Sequence, residues 1–297
     1  NASGFNSQGF SLEADSVSCD GSVTYGLGTI PTPNTIAVPD GNYKVCVQLT
    51  DTAGNITYGA TDTFFVLDTA FPVFTSFPLA NEAADGYINN AESTSTNPVA
   101  TLNASGFDQD DYSVQVSSVP CDNAIPYSSP NIPSPADLSL PEDTYKVCVR
   151  LSDNAGNTIY NETDSFYVLD TTGPSINTIT LENTATDGYV NALESTDTND
   201  LVSVIGSGHD EIRYAIIGVT DTCNNTTPGF TTAVPDATAL STDGDYRVCV
   251  ELSDLAGNPN AYSTSSLITR DTVFPGLDPG NPVLVSGDGN PENNYLR

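Results

Sequence analysis

The chain has 297 residues, with 7 Lys+Arg against 38 Asp+Glu, a formal net charge of −31 and neither Met nor Trp. That charge argues against nucleic acid or anionic lipid as partners, and no run of about 18 apolar residues is available for membrane insertion. The length suits two or three domains, each large enough to bury a core.

Thr, Ser, Val, Tyr and Asn dominate, turn residues punctuate short runs, and no stretch sustains a 3.6-residue apolar period. The chain therefore reads as all-β. In chain order, NASGF at Asn1 is followed by the strand within FSLEADSVSC, which ends at Cys19. YKVCVQL comes next. Tyr43, Val45, Val47 and Leu49 alternate with Lys44, Cys46 and Gln48, giving one apolar and one polar face. The turn PDGN precedes this strand, DTAGN (51–55) follows it as a hairpin loop, and TFFVLD (63–68) is the next strand. DGYINNAES (85–93) is read as a loop after an opening strand.

The series then returns. NASGF recurs at Asn103, a period of about 102 residues, followed by YKVCV (145–149), DNAGN (153–157) and SFYVLD (165–170). A third round brings DGYVNALES (187–195), YRVCV (246–250), DLAGN (254–258) and SLITRD (266–271). A repeat this long is a whole domain, with seven or so short strands, and not a solenoid unit.

Six cysteines fall two per repeat: Cys19 with Cys46, Cys121 with Cys148, and Cys223 with Cys249, at separations of 27, 27 and 26 residues. Pairing within each repeat is the simplest connectivity. A single His, His209, leaves zinc short of ligands. Disulfides imply an oxidising compartment. With Val45 and Val47 towards the core, Cys46 points to the opposite side, so the bridge is expected on an outer sheet face. Only Lys44 and Lys146 are lysines, and Arg247 stands at that position in the third repeat, so no Lys–Asn isopeptide bond is common to all repeats.

The DGNYKVCVQLTDTAGN run, the VLDT–x–x–P junctions (Asp68 to Pro72, Asp170 to Pro174) and DGYINNAES resemble the bacterial immunoglobulin-like repeats of large extracellular adhesins and biofilm-associated surface proteins. The resemblance implies tandem immunoglobulin-like β-sandwich domains in an elongated array, one disulfide per domain, on a bacterial cell surface. It makes YKVCV the sixth strand, places Tyr43, Tyr145 and Tyr246 at tyrosine corners, and closes each domain with VLD. Residues 1–68 then form a domain lacking its first strand, 69–170 and 171–271 complete domains, and 272–297 the opening strand of a further repeat.

Acidic loops suggest Ca²⁺, a hard cation that takes six to eight oxygens. In a sandwich the domain exit, at Asp68 or Asp170, meets the DxAGN loop of the next domain, carrying Asp153 with Asn157 or Asp254 with Asn258. Asp85 and Glu92, and their counterparts Asp187 and Glu194, lie near a pole as well. This reading brings Asp170, Asp187 and Glu194 towards Asp254 and Asn258. The resemblance adds Ca²⁺ at domain junctions as an implied property.

Catalysis has little to stand on. His209 occupies the place that Phe107 holds one repeat earlier, so it is no repeated feature. Sequons at Asn1, Asn55, Asn103, Asn161, Asn224 and Asn225 are no more than an Asn-, Ser- and Thr-rich chain supplies by chance. The expected function is structural: a subunit of a head-to-tail surface filament or stalk. In it Val283, Leu284 and Val285 of the tail join the next copy by donor-strand complementation. The alternative is a repeat segment of an adhesin that binds a receptor, glycan or surface.

Overall fold

A computed structural model describes residues 4–26, 28–32 and 36–275. Val283, Leu284 and Val285 lie outside the described residues. The chain divides into two compact units, one of Asn1–Ile88 with Glu92–Leu169, the other of Asn89–Ala91 with Asp170–Arg297.

The first unit opens with one antiparallel sheet of β1 (Ser7–Ala14), β2 (Gly41–Thr50), β3 (Ile56–Ala60) and β4 (Phe65–Leu67). β2 is central, with β1 along one edge and β3 and β4 sharing the other. Seven more strands follow in this unit: β5 (Val73–Ser76), β6 (Tyr87–Ile88), β7 (Asn103–Ser105), β8 (Gln109–Val116), β9 (Asp143–Ser152), β10 (Thr158–Glu162) and β11 (Tyr167–Leu169). β5 and β7 pair as a small second layer, and the other five form a sheet around β9.

The second unit has the same order: β12 (Ser175–Leu181), β13 (Tyr189–Asn191), β14 (Val202–Ser207), β15 (Glu211–Gly218), β16 (Gly244–Ser253), β17 (Ala261–Thr264) and β18 (Ile268–Asp271). β12 pairs β14, and the remaining five, β16 among them, form one sheet with β16 at its centre. The described residues are thus all-β, with only short 3-10 turns besides strands.

The central strands carry the core on one face. Val147, Val149 and Leu151 of β9 are fully buried against Phe77, Ile88, Val99 and Tyr167. Val248, Val250 and Leu252 of β16 are likewise buried, with Val190, Leu201 and Ile268. Their counterparts Val45, Val47 and Leu49 in β2 are only half-buried. Among the described residues the β1–β4 sheet has no second layer of its own.

DGY, read from sequence as part of a loop, instead forms a short strand. Asp85 Oδ1 accepts from Tyr87 N at 3.0 Å, and Gly86 O accepts from Val168 N at 2.8 Å. These bonds lay β6 parallel to β11, as β13 lies parallel to β18. The tyrosine corners form: Tyr43, Tyr145 and Tyr246 donate to Pro39 O, Pro141 O and Thr242 O at 2.7, 2.8 and 2.8 Å.

The strand after each DxAGN loop is broken, which the sequence had not suggested. Pairing passes from Cys46↔Ala60 to Tyr43↔Phe65, and from Cys148↔Glu162 to Tyr145↔Tyr167, so extra residues bulge out of the ladder. A hydroxyl repairs each break. Val45 N, Val147 N and Val248 N donate to Thr61 Oγ1, Thr163 Oγ1 and Ser265 Oγ at 3.3, 3.4 and 2.9 Å.

The opposite face of each central strand is also covered. The bridges Cys19–Cys46, Cys121–Cys148 and Cys223–Cys249 are formed, each with Cα atoms 5.4 Å apart. Cys46, Cys148 and Cys249 are fully buried, although they lie on the outer face. The loop holding each partner cysteine folds over the sheet and lays an aromatic ring on it. Tyr25 meets Tyr58, Tyr127 meets Tyr160, and Phe230 meets Tyr262, at centroid separations of 5.5, 5.5 and 6.4 Å. Beside the third pair, Glu251 is buried, ion-paired to the partly exposed Arg213, and accepts from Tyr262 Oη at 2.7 Å and Asn260 Nδ2 at 2.8 Å.

Thr163→Val and Ser265→Ala each leave a buried strand N–H without its acceptor, and each is expected to cost about 1–3 kcal/mol. Thr61→Val should cost less, because water reaches the half-buried β2. Denaturant unfolding, with hydrogen exchange read at Val147 and Val248, checks both statements. Reducing the disulfides removes loops of 27, 27 and 26 residues from the constraint on the unfolded chain. The expected loss is about 3–4 kcal/mol for each bridge in the chain-entropy account, read as a lower denaturation midpoint in reductant.

Candidate functional site

Each DxAGN loop is a closed polar ring built by its first and last residues. After β9, Asp153 Oδ1 accepts from Asn157 N at 2.9 Å and Asp153 Oδ2 accepts from Asn157 Nδ2 at 2.8 Å. The backbone closes the same ring, with Asp153 N donating to Asn157 O at 3.1 Å. Gly54, Gly156 and Gly257 take φ of 89°, 95° and 81°, so the fourth position of the motif needs glycine. Asp51 with Asn55 and Asp254 with Asn258 repeat the side-chain pair at 2.8 and 3.0 Å.

The ring aims the asparagine amide at the segment between strands. Asn157 Nδ2 donates to Asp68 O and Ala70 O, both at 3.1 Å. In the second unit Asn258 Nδ2 donates to Asp170 O at 3.0 Å. Asn258 Oδ1 also accepts from Asn90 N at 2.9 Å, and Asn89 Nδ2 donates to Ala256 O at 3.0 Å. Asn258 is 3% exposed, with both polar atoms of its side chain engaged. The gripped segments share one conformation: Ala70 N donates to Asp68 Oδ1 at 3.0 Å, and Thr172 N to Asp170 Oδ1 at 3.2 Å.

These bonds place the residues read as Ca²⁺ ligands. Asp153, Asn157, Asp254 and Asn258 satisfy one another within their loops. Asp68 and Asp170 spend a carboxylate oxygen on their own turns and offer backbone carbonyls to the asparagines. Asp85 and Asp187 each accept from the N–H two residues on, Tyr87 and Tyr189, at 3.0 and 2.9 Å. Glu194 Oε2 accepts from Asn191 N at 3.0 Å. Glu92 follows β6, in the first unit.

One expected grouping is corrected. Asp187 and Glu194 flank β13, whose Asn191 pairs Asp271 at the end of β18. β18 in turn pairs the start of β16, Gly244↔Arg270, whereas Asp254 follows the far end of β16. Ten strand residues at about 3.3 Å each put about 30 Å between the two ends. Asp187 and Glu194 therefore do not approach Asp254 and Asn258. Among the described residues no group of three or more His, Cys, Asp or Glu side chains is placed to hold a metal ion. Each linker carbonyl already accepts an amide N–H and keeps one further lone pair, so the carbonyls together with the loop carboxylates are oxygen donors of the kind a hard cation takes.

Other surfaces show no reactive arrangement among the described residues. His209 Nδ1 is enclosed without a hydrogen-bond partner. Open clefts of about 450, 480 and 490 Å³ are lined mainly by Tyr112 or Tyr214 with Ser, Thr, Pro and Asp side chains.

No family model and no curated protein matches the chain. Solved structures with a similar chain course include a 1.5-MDa bacterial ice-binding adhesin, 21% identical, covering 92% of this chain and 89% of that one, with a TM-score of 0.32. A Ca²⁺-stabilised adhesin of an Antarctic bacterium is 21% identical over 90% of this chain and 66% of that one, with a TM-score of 0.34. The extracellular domain of protocadherin gammaB4 is 14% identical over 89% of this chain, with a TM-score of 0.34. This chain spans 45% of that protein's length and 58% of a Drosophila N-cadherin segment's. Superposition this loose carries no statement about function.

The asparagine grip is a role the sequence did not disclose, because Asn at the end of a hairpin loop is also an ordinary turn residue. The available signal was the pairing of the second and third DxAGN motifs with an upstream Asp-Thr-x-x-Pro, at 68–72 and 170–174. Asn258→Ala is expected to destabilise the second unit by about 1–3 kcal/mol, with or without EGTA, as thermal unfolding will read. Acid provides a separate check. The Asn55 and Asn157 amides hold Asp51 and Asp153 below the usual carboxylate range. Their contribution is complete above the unfolded carboxylate pKa of about 3.9 and is lost as pH falls through the lower folded values. Asn157→Ala should therefore flatten the acid limb of stability below about pH 4, measured by urea midpoints against pH.

Proposed function

We propose that the chain is an extracellular, non-catalytic structural segment, a tandem array of immunoglobulin-like sandwiches that holds distance at a bacterial cell surface. The observation that carries this reading is the grip of Asn157 on Asp68 O and Ala70 O, and of Asn258 on Asp170 O. A segment evolved as a free tether needs no such bonds, whereas a spacer that must keep its direction does. Disulfides on the central strands suit the same task, because they tie each sheet to its covering loop under load.

Head-to-tail assembly into a filament or stalk is part of the proposal. The half-buried face of Val45, Val47 and Leu49 is a surface that an added strand pair would close. A contact of that kind is heterologous and yields an open fibre. The segment 272–297 is the proposed donor. Calcium enters this reading as a joint stiffener in a chain of net charge −31.

Electron microscopy and small-angle scattering of the full chain test the array. Extended rods that lengthen end to end with concentration are expected; globular particles of fixed size would overturn it. A lowered melting temperature on adding EGTA is the result expected of calcium, and an unchanged one removes the metal while leaving the array intact.

A further inference from the structure

Each loop that covers an outer sheet face lays its ring on a tyrosine of the strand beneath, and in two of the three cases both rings are phenols. Tyr25 meets Tyr58 of β3 at a centroid separation of 5.5 Å and a tilt of 31°, and Tyr127 meets Tyr160 of β10 at 5.5 Å and 41°. In the second unit the loop brings Phe230 to Tyr262 instead, at 6.4 Å and 50°. The four paired tyrosines are half-buried, so each pair keeps an edge at the surface. Within each pair the hydroxyls sense each other. Burial first, and then the phenol of Tyr58, pushes Tyr25 up, as burial and then Tyr160 push Tyr127 up to about 12. A further pair, Tyr145 with Tyr167 at 6.1 Å, lies in the core at 3% and 0% exposure.

We infer that Tyr25–Tyr58 and Tyr127–Tyr160 are sites of oxidative cross-linking, at which a one-electron oxidant joins the covering loop to its strand as dityrosine. Unaided, neither pair is reactive. The oxidant is hydrogen peroxide acting through a haem peroxidase. It takes one electron from each phenol, and each hydroxyl proton leaves to water. The unpaired spin then rests partly on the ring carbons beside each oxygen, the Cε positions. One Cε of each ring forms a C–C bond with the other, and the hydrogens those carbons carried return as protons to the two phenol oxygens. In all, two C–H bonds are lost and one C–C bond is gained. The two electrons and two protons that leave reduce one hydrogen peroxide to two waters. Stacking makes the coupling intramolecular, which favours it over encounters between chains that repel each other at net charge −31.

The surroundings rank the two sites. Tyr25 Oη donates to Asp20 O at 3.2 Å in an exposed contact, and Tyr58 belongs to the half-buried β1–β4 sheet. Tyr127 Oη is enclosed without a hydrogen-bond partner, so its proton has no immediate acceptor. The Arg150 guanidinium also lies 5.7 Å from the Tyr127 ring centroid, and a cation there opposes the loss of an electron. Tyr25–Tyr58 therefore couples first. Phe230 has no hydroxyl to oxidise and leaves Tyr262 without a partner, while the core keeps the oxidant from Tyr145 and Tyr167. Each cross-link ties down the same loop as the bridge Cys19–Cys46 or Cys121–Cys148, and thiols do not reverse it. The inference rests on ring geometry inside the first unit and is independent of the head-to-tail reading above.

The full chain at low concentration is treated with a haem peroxidase and hydrogen peroxide, and dityrosine fluorescence and peptide masses are read on the monomer fraction. Wild type is compared with Tyr25→Phe and with Tyr25→Phe combined with Tyr127→Phe. Free tyrosine in a parallel tube shows that the oxidant is active, and melting curves confirm that each variant is folded. Wild type should yield a peptide pair joined through Tyr25 and Tyr58 and, more slowly, one joined through Tyr127 and Tyr160, each lighter by two hydrogens than its parts. Tyr25→Phe should lose most of the early fluorescence and the double variant nearly all of it, with Tyr145 and Tyr167 unlinked throughout. Once the disulfides are reduced, oxidised wild type should keep a higher urea midpoint than the oxidised double variant. Tyr25 and Tyr58 that stay unlinked while free tyrosine couples overturn the inference, as does dityrosine confined to chains joined to one another. Fluorescence undiminished in the double variant also overturns it, because the coupling then lies at other tyrosines.

Discussion

The constraint on which the rest of the structure depends is that the central strands β9 and β16 must be buried on both faces. β9 and β16 send valines and a leucine into a sandwich core and a cysteine to the other side, and both sides are dry. An ordinary antiparallel strand with one wet face tolerates polar residues there. Here the outer face is closed by a loop that has no strand of its own, only a bridge and a ring. The disulfide anchors that loop, and the aromatic pair gives it something to cover. Removing either leaves Lys146 or Glu251, both buried among neighbours on that face, with water at one side and a partner at the other.

Double burial also explains the bulges. A strand N–H that loses its ladder partner inside a covered sheet cannot turn to solvent, so the break has to bring its own acceptor. Thr163 and Ser265 do this at 3% and 1% exposure. The break is useful, since it lets the last strand change course towards the exit turn and lets β6 or β13 join it in parallel. The exit turn is then presented at a fixed place relative to the sheet.

Much of this was legible in the residues. Alternation in YKVCVQL gave the strand and its two faces, and the period of Cys46, Cys148 and Cys249 marked the outer side. The tyrosine corners followed from resemblance. What was not legible depends on partners remote in sequence. Nothing near Thr163 marks it as an acceptor for Val147, and DGY lacks the length to announce a strand before β11 is there to pair it. The acidic positions misled for a physical reason. Asp187 and Glu194 look like ligands because carboxylates attract cations, but each spends one oxygen on a nearby N–H group, about 30 Å from the loop they were expected to reach.

The amide grip bears on how so acidic a protein stiffens its connections. Backbone carbonyls at a linker can be gathered by a cation, which brings charge and demands occupancy, or by N–H donors, which bring neither. Asn157 and Asn258 take the second course, and the aspartate beside each holds the amide in place without itself touching the linker. The amide contacts themselves need no metal, and salt screens them little, since their acceptors are uncharged. They do depend on the aspartate remaining ionised, because a protonated Asp153 is a poorer acceptor for the asparagine that aims at Asp68. Acid, then, is the condition under which the grip of Asn157 should loosen before the sandwich core does, for the core holds apolar side chains and the loop holds Asp153.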